Sequence, residues 1–170
     1  MRTVGTKETV KTSSLFRNLN DQELQEVLSI TRERRFPKDE TIMHEGEQGD
    51  TLYMVVEGEL GVSKSLTLKF GDGDFRKAEK VLTRYRPDDH AIFGEMALIC
   101  QDSRSASIVT RTDCLLLELK RDDFIRLIES HPKLGVKILL NLSEFLINRL
   151  RQSSEDVVRL TTALSIALGQ

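Results

Sequence analysis

Apolar residues recur along this chain first at helical spacing, then at strand spacing, then at helical spacing again. Leu24, Val27 and Leu28 share one face of a segment that opens with Asn20 and, three residues on, Glu23, the pair that makes a capping box, so a helix is predicted there. The mixed run Arg32, Glu33, Arg34, Arg35 ends at Phe36-Pro37 and reads as a solvated strand or loop. Short apolar stretches follow at Thr41 to His44, Leu52 to Val56 and Leu60 to Val62, separated by turns marked by Gly46, Gly49 and Gly58. This spacing predicts a mainly β domain, an antiparallel jelly-roll barrel, rather than alternating strands and helices. Leu66, Leu68 and Phe70 alternate with polar residues, Gly71 to Asp74 interrupts, and Val81 to Tyr85 resumes, which reads as a hairpin, with a further turn at Asp88-Asp89 after Pro87. Ile108-Val109 and Leu115 to Leu119 close the barrel, and Asp122-Asp123 start a helix with Phe124, Leu127 and Ile128 on one face, ending before Pro132.

Pro132 suits the first turn of another helix, and no proline follows it. One helix of about 35 residues is expected, or two with a break near Ser153-Ser154. Leu139, Ser143, Leu146, Leu150, Ser153, Val157, Leu160, Leu164 and Ala167 fall at alternating steps of four and three, a heptad seam, while Leu142 and Phe145 lie on the neighbouring face and suit packing on the barrel. The seam either lies along its own barrel or pairs with a second copy. It runs beyond what one barrel covers, which favours a homodimer through this helix. The expected organisation is a flexible N-terminus over 1–12, a barrel with flanking helices over 13–131, and the long helix over 132–170.

Composition narrows the classes. The 170 residues suffice for one domain with an appendage, and a net charge of −2 with 31% charged residues marks no general nucleic-acid binder. The two cysteines, Cys100 and Cys114, stand far apart and read as buried, reduced thiols of a cytoplasmic protein. Residues 1–12 lack the apolar stretch of a signal peptide, and no segment is long and apolar enough for a membrane span. His44, His90 and His131 lie in different elements, so no metal site is expected, and Asp72 and Asp74 lack the remaining ligands of a calcium loop. The serines near Arg104 have no base nearby and no nucleophile elbow is present, so there is no catalytic set. The chain reads as a binding module.

The chemistry concentrates between Phe93 and Ile108. Gly94 permits a tight turn into Glu-Met-Ala-Leu-Ile, a run sufficient for a turn or two of helix, and Arg104 follows among Ser103, Ser105, Ala106 and Ser107, all small enough for a ligand to approach the backbone. Arg104 is the one cation of this stretch and no Gly-Lys-Ser/Thr loop is present, which suits a singly charged phosphodiester rather than a triphosphate with magnesium. Glu95 is placed to accept from a sugar hydroxyl. Alternatively, Glu95 and Arg104 pair with each other.

Phe-Gly-Glu-Met-Ala-Leu-Ile followed by Arg-Ser-Ala-Ser resembles the phosphate-binding cassette of the cyclic nucleotide-binding domain family, which includes regulatory subunits of cyclic AMP-dependent protein kinase and bacterial catabolite activators. The run Glu-Gly-Glu-Gln-Gly-Asp, then Leu-Tyr-Met-Val-Val-Glu-Gly-Glu-Leu, is similar to the first half of that family's barrel. The resemblance implies that Glu95 binds the ribose hydroxyl and Arg104 the cyclic phosphate, with Gly94, Met96, Ala97, Ser105 and Ala106 lining the cradle. It departs from the family in having Ser103 where a proline often stands, Asp89, His90 and Ala91 where a glycine is usual, and Asp39 before the strand of Ile42. By distance from Arg104, Asn148, Arg149 and Gln152 are the implied base contacts from the long helix. The family's transcription factors continue into a helix-turn-helix and this sequence does not, so specific DNA binding is not expected of it. The implied function is a non-enzymatic cytoplasmic receptor for a cyclic mononucleotide, cyclic AMP in preference to cyclic GMP, signalling through its C-terminal helix to an unidentified protein partner. The alternatives are a scaffold domain that has lost the ligand and, more remotely, a barrel metalloenzyme.

Overall fold

The computed structural model describes residues 4–69, 75–87, 91–100 and 103–169. The expected turns at Gly71 to Asp74 and at Asp88-Asp89 lie outside the described residues. Eight strands form two four-stranded antiparallel sheets. β1 (Thr31–Phe36), β8 (Cys114–Lys120), β3 (Thr51–Glu57) and β6 (Ile92–Phe93) make the first, in that order. β2 (Thr41–Met43), β7 (Ser107–Thr110), β4 (Leu60–Lys69) and β5 (Phe75–Tyr85) make the second. The expected closed barrel is therefore corrected to two separate sheets, since among the described residues no ladder joins one to the other.

Strand alternation explains the two-layer core. On β3, Leu52, Met54 and Val56 face the helices, as do Leu115, Leu117 and Leu119 on β8, where they meet Phe16, Leu28, Phe124 and Ile138. The intervening Tyr53, Val55, Cys114 and Leu116 face the second sheet and pack on Val62, Phe93 and Ile108. Both faces of β3 and β8 are covered, so these strands read as continuous apolar runs. The expected hairpin is β4 and β5, paired from Leu60↔Tyr85 to Lys69↔Phe75.

The N-terminal segment expected to be flexible is instead largely helical: α1 (Val4–Thr12) packs on β3 and α2. Val10 and Thr6 are fully buried, and the Thr6 hydroxyl donates to Glu33. One short helix carrying one core valine is too little for apolar periodicity to register. A 3-10 turn, η1 (Ser14–Phe16), buries Leu15 and Phe16, and α2 (Asp21–Ser29) carries the full capping box between Asn20 and Glu23. α4 (Arg121–Ser130) buries Phe124 and Leu127.

α5 (Pro132–Ala167) is one continuous helix of 36 residues. The alternative break at Ser153-Ser154 does not occur: the helix runs through both serines, and the Ser154 hydroxyl donates to Leu150 O within it. Its inner face buries Leu134, Ile138, Asn141 and Leu142. Asn141 Nδ2 donates to Leu15 O at 3.1 Å and Arg17 O at 2.8 Å, tying the helix to η1. Asn141→Ala leaves the buried Leu15 O and the half-buried Arg17 O without that donor, for an expected loss of about 1–3 kcal/mol, read as a lower denaturation midpoint at unchanged slope.

The heptad seam needs a correction in register. Leu139 and Leu146 pack against the core, so the outward seam of the proximal half is rotated by one position to Val136, Leu140 and Ile147. In the distal half Leu150, Val157, Leu160 and Leu164 of the expected seam are all exposed. No helix among the described residues is long and apolar enough to cross a membrane.

Candidate functional site

The cassette begins on the shortest strand. β6 pairs with β3 through Tyr53↔Phe93 and Met54↔Ile92, and the Phe93 ring stacks between Tyr53 at 5.3 Å and Tyr85 at 6.3 Å, centroid to centroid. Tyr53 is anchored beyond the stack, its hydroxyl donating to the buried Glu118 at 3.4 Å. Burial, with the Glu118 carboxylate beside it, raises the Tyr53 phenol above its ordinary value, so it stays protonated and remains a donor. Gly94 follows at φ +73°, a conformation side chains resist, and turns the backbone into α3 (Met96–Ile99) with Glu95 as its N-cap. Ala97 and Leu98 are buried under this turn of helix, whereas Met96 and Ile99 face outward. Cys100 ends the helix on its exposed side, contrary to the expectation of two buried thiols; only Cys114 is buried.

Arg104 approaches from the other side. Its backbone N–H donates to Glu47 O at 2.7 Å and its carbonyl accepts from Gly46 N–H at 2.9 Å, so the glycine-rich turn after β2 is fastened to it. The side chain runs under that turn. Nη1 donates to Thr51 O at 2.9 Å, and a Cβ at Gly49 would overlap the guanidinium itself. Arg104 is 9% exposed, and its Nε finds no hydrogen-bond partner among the described residues. A buried, charged donor without a partner is costly, and an anion in the adjoining cavity relieves that cost.

Glu95, 7% exposed, does not pair with Arg104. Its partner is Arg149 of α5, whose Nη1 donates to Glu95 Oε1 at 2.7 Å. Arg149 Nη2 donates to the Tyr85 hydroxyl at 2.8 Å and to Ile92 O at 3.1 Å, and its guanidinium lies 4.8 Å from the centre of the Phe145 ring. One side chain thus joins the long helix to the cassette, to β5 and to β6.

Between these groups lies a small cavity open to solvent. Gly94, Glu95, Met96, Ala97, Arg104, Ser105 and Ala106 all line it, and Arg149 reaches it from α5. Asn148 and Gln152 do not: both are exposed, since 100° per residue turns Asn148 away from the direction Arg149 takes, and Gln152 lies nearly a turn further along. Sequence reasoning missed the apolar wall of Met43, Val62, Tyr85, Phe93 and Ile108, together with Thr51 and Gly49, which hold Arg104. Tyr85 closes the alternating hairpin strand, and that position at the strand end was the available signal. Among the described residues no three His, Cys, Asp or Glu side chains are grouped to hold a metal ion.

The sequence profile of the family described as Cyclic nucleotide-binding domain matches residues 33–131, more than half of the chain. The chain belongs to the cyclic nucleotide-binding domain family. This cyclic nucleotide-binding domain is 31% identical to the Cyclic AMP receptor protein of Thermus thermophilus over 148 residues, 87% of this chain and 62% of that protein. It is also 31% identical to the cAMP-dependent protein kinase regulatory subunit of Mucor circinelloides over 122 residues, 69% of this chain and 25% of that one. Among solved structures, the Thermus thermophilus catabolite activator protein superposes with a TM-score of 0.72 at 31% identity, covering 88% of this chain and 63% of that one. A cyclic nucleotide-binding domain from Methylobacillus flagellatus gives a TM-score of 0.75 at 28% identity, covering 91% of this chain and 82% of that one. The chain spans less than two thirds of the length of the curated relatives it matches first. The matched region of the domain holds Glu95 and Arg104; Arg149 lies beyond it, on α5.

Proposed function

We propose that this domain is a non-enzymatic cytoplasmic receptor for a cyclic mononucleotide, cyclic AMP in preference to cyclic GMP, and that it reports the bound ligand through α5. The observation that carries the reading is Arg104: among the described residues it is a buried guanidinium with an unpartnered Nε at the wall of a cavity whose one other cation is Arg149, itself committed to Glu95. A phosphodiester carries one negative charge and presents oxygens to such a fork. Glu95 supplies the acceptor for the ribose hydroxyl; a carboxylate offers about four lone-pair sites, so its bond to Arg149 does not exhaust it. The apolar wall of Val62, Ile108 and Met43 suits the sugar and base. The adenine preference is supported by the names of two relatives, a cyclic AMP receptor and a regulatory subunit of a cAMP-dependent kinase.

Transmission runs through the same carboxylate. A sugar hydroxyl donating to Glu95 shares the carboxylate with Arg149, and Arg149 belongs to α5, so ligand and helix are energetically coupled. The outward seam of α5 pairs with that of a second copy, and the resulting dimer presents the signal to a protein partner. Calorimetric titration of the purified chain with cyclic AMP and with cyclic GMP tests the reading. Micromolar binding of one nucleotide per chain, tighter for cyclic AMP, is expected. No heat from either at millimolar concentration would leave the cassette to another anion, and the scaffold reading would take its place.

A further inference from the structure

The cavity between the cassette and the second sheet measures about 70 Å³, room for a few water molecules and well short of the roughly 300–1,000 Å³ of small-molecule sites. A cyclic mononucleotide therefore needs one of its walls to give. Most of the walls are fixed. Glu95, Phe93, Arg104 and Ile108 are buried, and Arg104 is fastened through its backbone to both Gly46 and Glu47. Among the described lining residues, the one that comes from neither a sheet nor the cassette is Arg149, whose side chain is 35% exposed.

Three bonds hold Arg149 in that wall. Nη1 donates to Glu95 Oε1 at 2.7 Å, and the two N–H groups of Nη2 go to the Tyr85 hydroxyl at 2.8 Å and to Ile92 O at 3.1 Å, so Nη2 has no donor left for a ligand. Phe145, one turn back on α5, lies against the guanidinium, so side chain and helix move together. Tyr85 does not follow them. It ends β5 opposite Leu60, and its ring stacks on Phe93 at an interplanar angle of 16°. The bond from Nη2 to Tyr85 thus ties the movable wall to a fixed one.

We propose that Arg149 and Tyr85 form a latch that holds the cavity closed, and that the Tyr85 hydroxyl sets the affinity of the site by limiting how often it opens. The proposal rests on the receptor reading for the identity of the ligand, while the latch is a property of the chain alone. Nucleotide binds the open arrangement, in which Nη2 has left Tyr85 and Ile92 O and Nη1 keeps Glu95. Its apparent affinity is then the intrinsic affinity scaled by the fraction of chains that are open. The bond given up on binding is also one that ties α5 to β5, so opening the latch loosens the helix at Arg149.

Tyr85→Phe removes the acceptor and keeps the stacked ring. Arg149→Lys keeps a charge for Glu95 and loses the fork that reaches Tyr85. The native chain, each variant and the double variant are compared by calorimetry and stopped-flow association with cyclic AMP and cyclic GMP, and by amide hydrogen exchange of α5 without nucleotide. Tyr85→Phe is expected to bind about tenfold tighter, through faster association at little-changed dissociation, and to exchange faster around Arg149. In the Arg149→Lys background the same substitution is expected to change affinity little, because the bond it removes is already gone. Native or weaker affinity in Tyr85→Phe would overturn the latch and leave the receptor reading standing. A full tenfold gain in the Arg149→Lys background would also overturn it, since Tyr85 would then act without Arg149. If no chain binds either nucleotide, the receptor reading falls and hydrogen exchange alone decides the latch: faster exchange in Tyr85→Phe supports it, and native exchange overturns it.

Discussion

Arg104→Ala will weaken cyclic AMP binding at least a hundredfold while leaving the protein folded. Among the described residues the guanidinium makes one side-chain hydrogen bond, to Thr51 O, and Nε is left unpartnered against the cavity, so most of its donor capacity is held for something else. A charge-assisted hydrogen bond contributes about 1.5–3 kcal/mol, and two of them to a phosphate in a buried site, at 1.4 kcal/mol for each tenfold, correspond to a hundredfold or more. The fold should lose little, because removal takes away an expensive buried charge along with one bond. Arg104→Lys separates charge from geometry: an ammonium keeps the former without the planar fork, and affinity between that of the native and alanine proteins is expected. Titration alongside thermal unfolding reads both effects. Native affinity in a folded Arg104→Ala protein would remove the phosphate from this position.

Gly94→Ala is expected to be nearly as damaging by a different route. At φ +73° a side chain is strained wherever it points, and here its Cβ would stand 2.5 Å from Thr51 O and 2.6 Å from Arg104 Nη1. Those are the two ends of the hydrogen bond that holds Arg104. The substitution therefore drives a methyl group into that bond, and the guanidinium has to leave its seat or the strand of Thr51 has to shift. A loss of about 1–3 kcal/mol in stability is expected, with affinity lower by tens of fold. Gly46→Ala is the control. Gly46 has φ +81° but open space around its Cβ position, so it carries backbone strain alone and should cost about 1 kcal/mol with ligand affinity nearly unchanged. Equal effects of the two substitutions on binding would show that the crowding at Gly94 has no bearing on the ligand.

Much of this site was legible because the cassette is continuous in sequence. Gly94 to Ala97 and Arg104 to Ala106 come from one short stretch, and a turn, a short helix and a loop bring them to one cavity whatever the remaining strands do. The capping box of α2 was legible for the same reason: both of its partners lie within one turn. What escaped depends on chain closure. Thr51 and Gly49 become partners of Arg104 only when the turn after β2 is fastened across it, and Tyr85 joins the site because the second sheet brings β5 beside β6. Choosing Arg149 and not Asn148 requires the rotation of α5 about its axis, which Leu134, Ile138 and Leu142 set by packing into the core. The same rotation moved the proximal seam from Leu139 and Leu146 to Leu140 and Ile147. A heptad pattern marks which residues share a stripe, but where two stripes adjoin it does not say which of them the body of the protein takes.

The attachment of α5 has a mechanical consequence. Asn141 pins the helix to η1, Arg149 touches the site two turns further on, and Leu168 lies at the far end. At 1.5 Å per residue those points are about 12 Å and about 40 Å from the pin. A stiff rod pivoting at Asn141 is a lever with unequal arms, so a displacement of 1 Å imposed on Arg149 becomes one of roughly 3 Å at the tip. Under the proposed coupling, a small adjustment at Glu95 would swing the tip of α5 through a distance comparable to half a side chain.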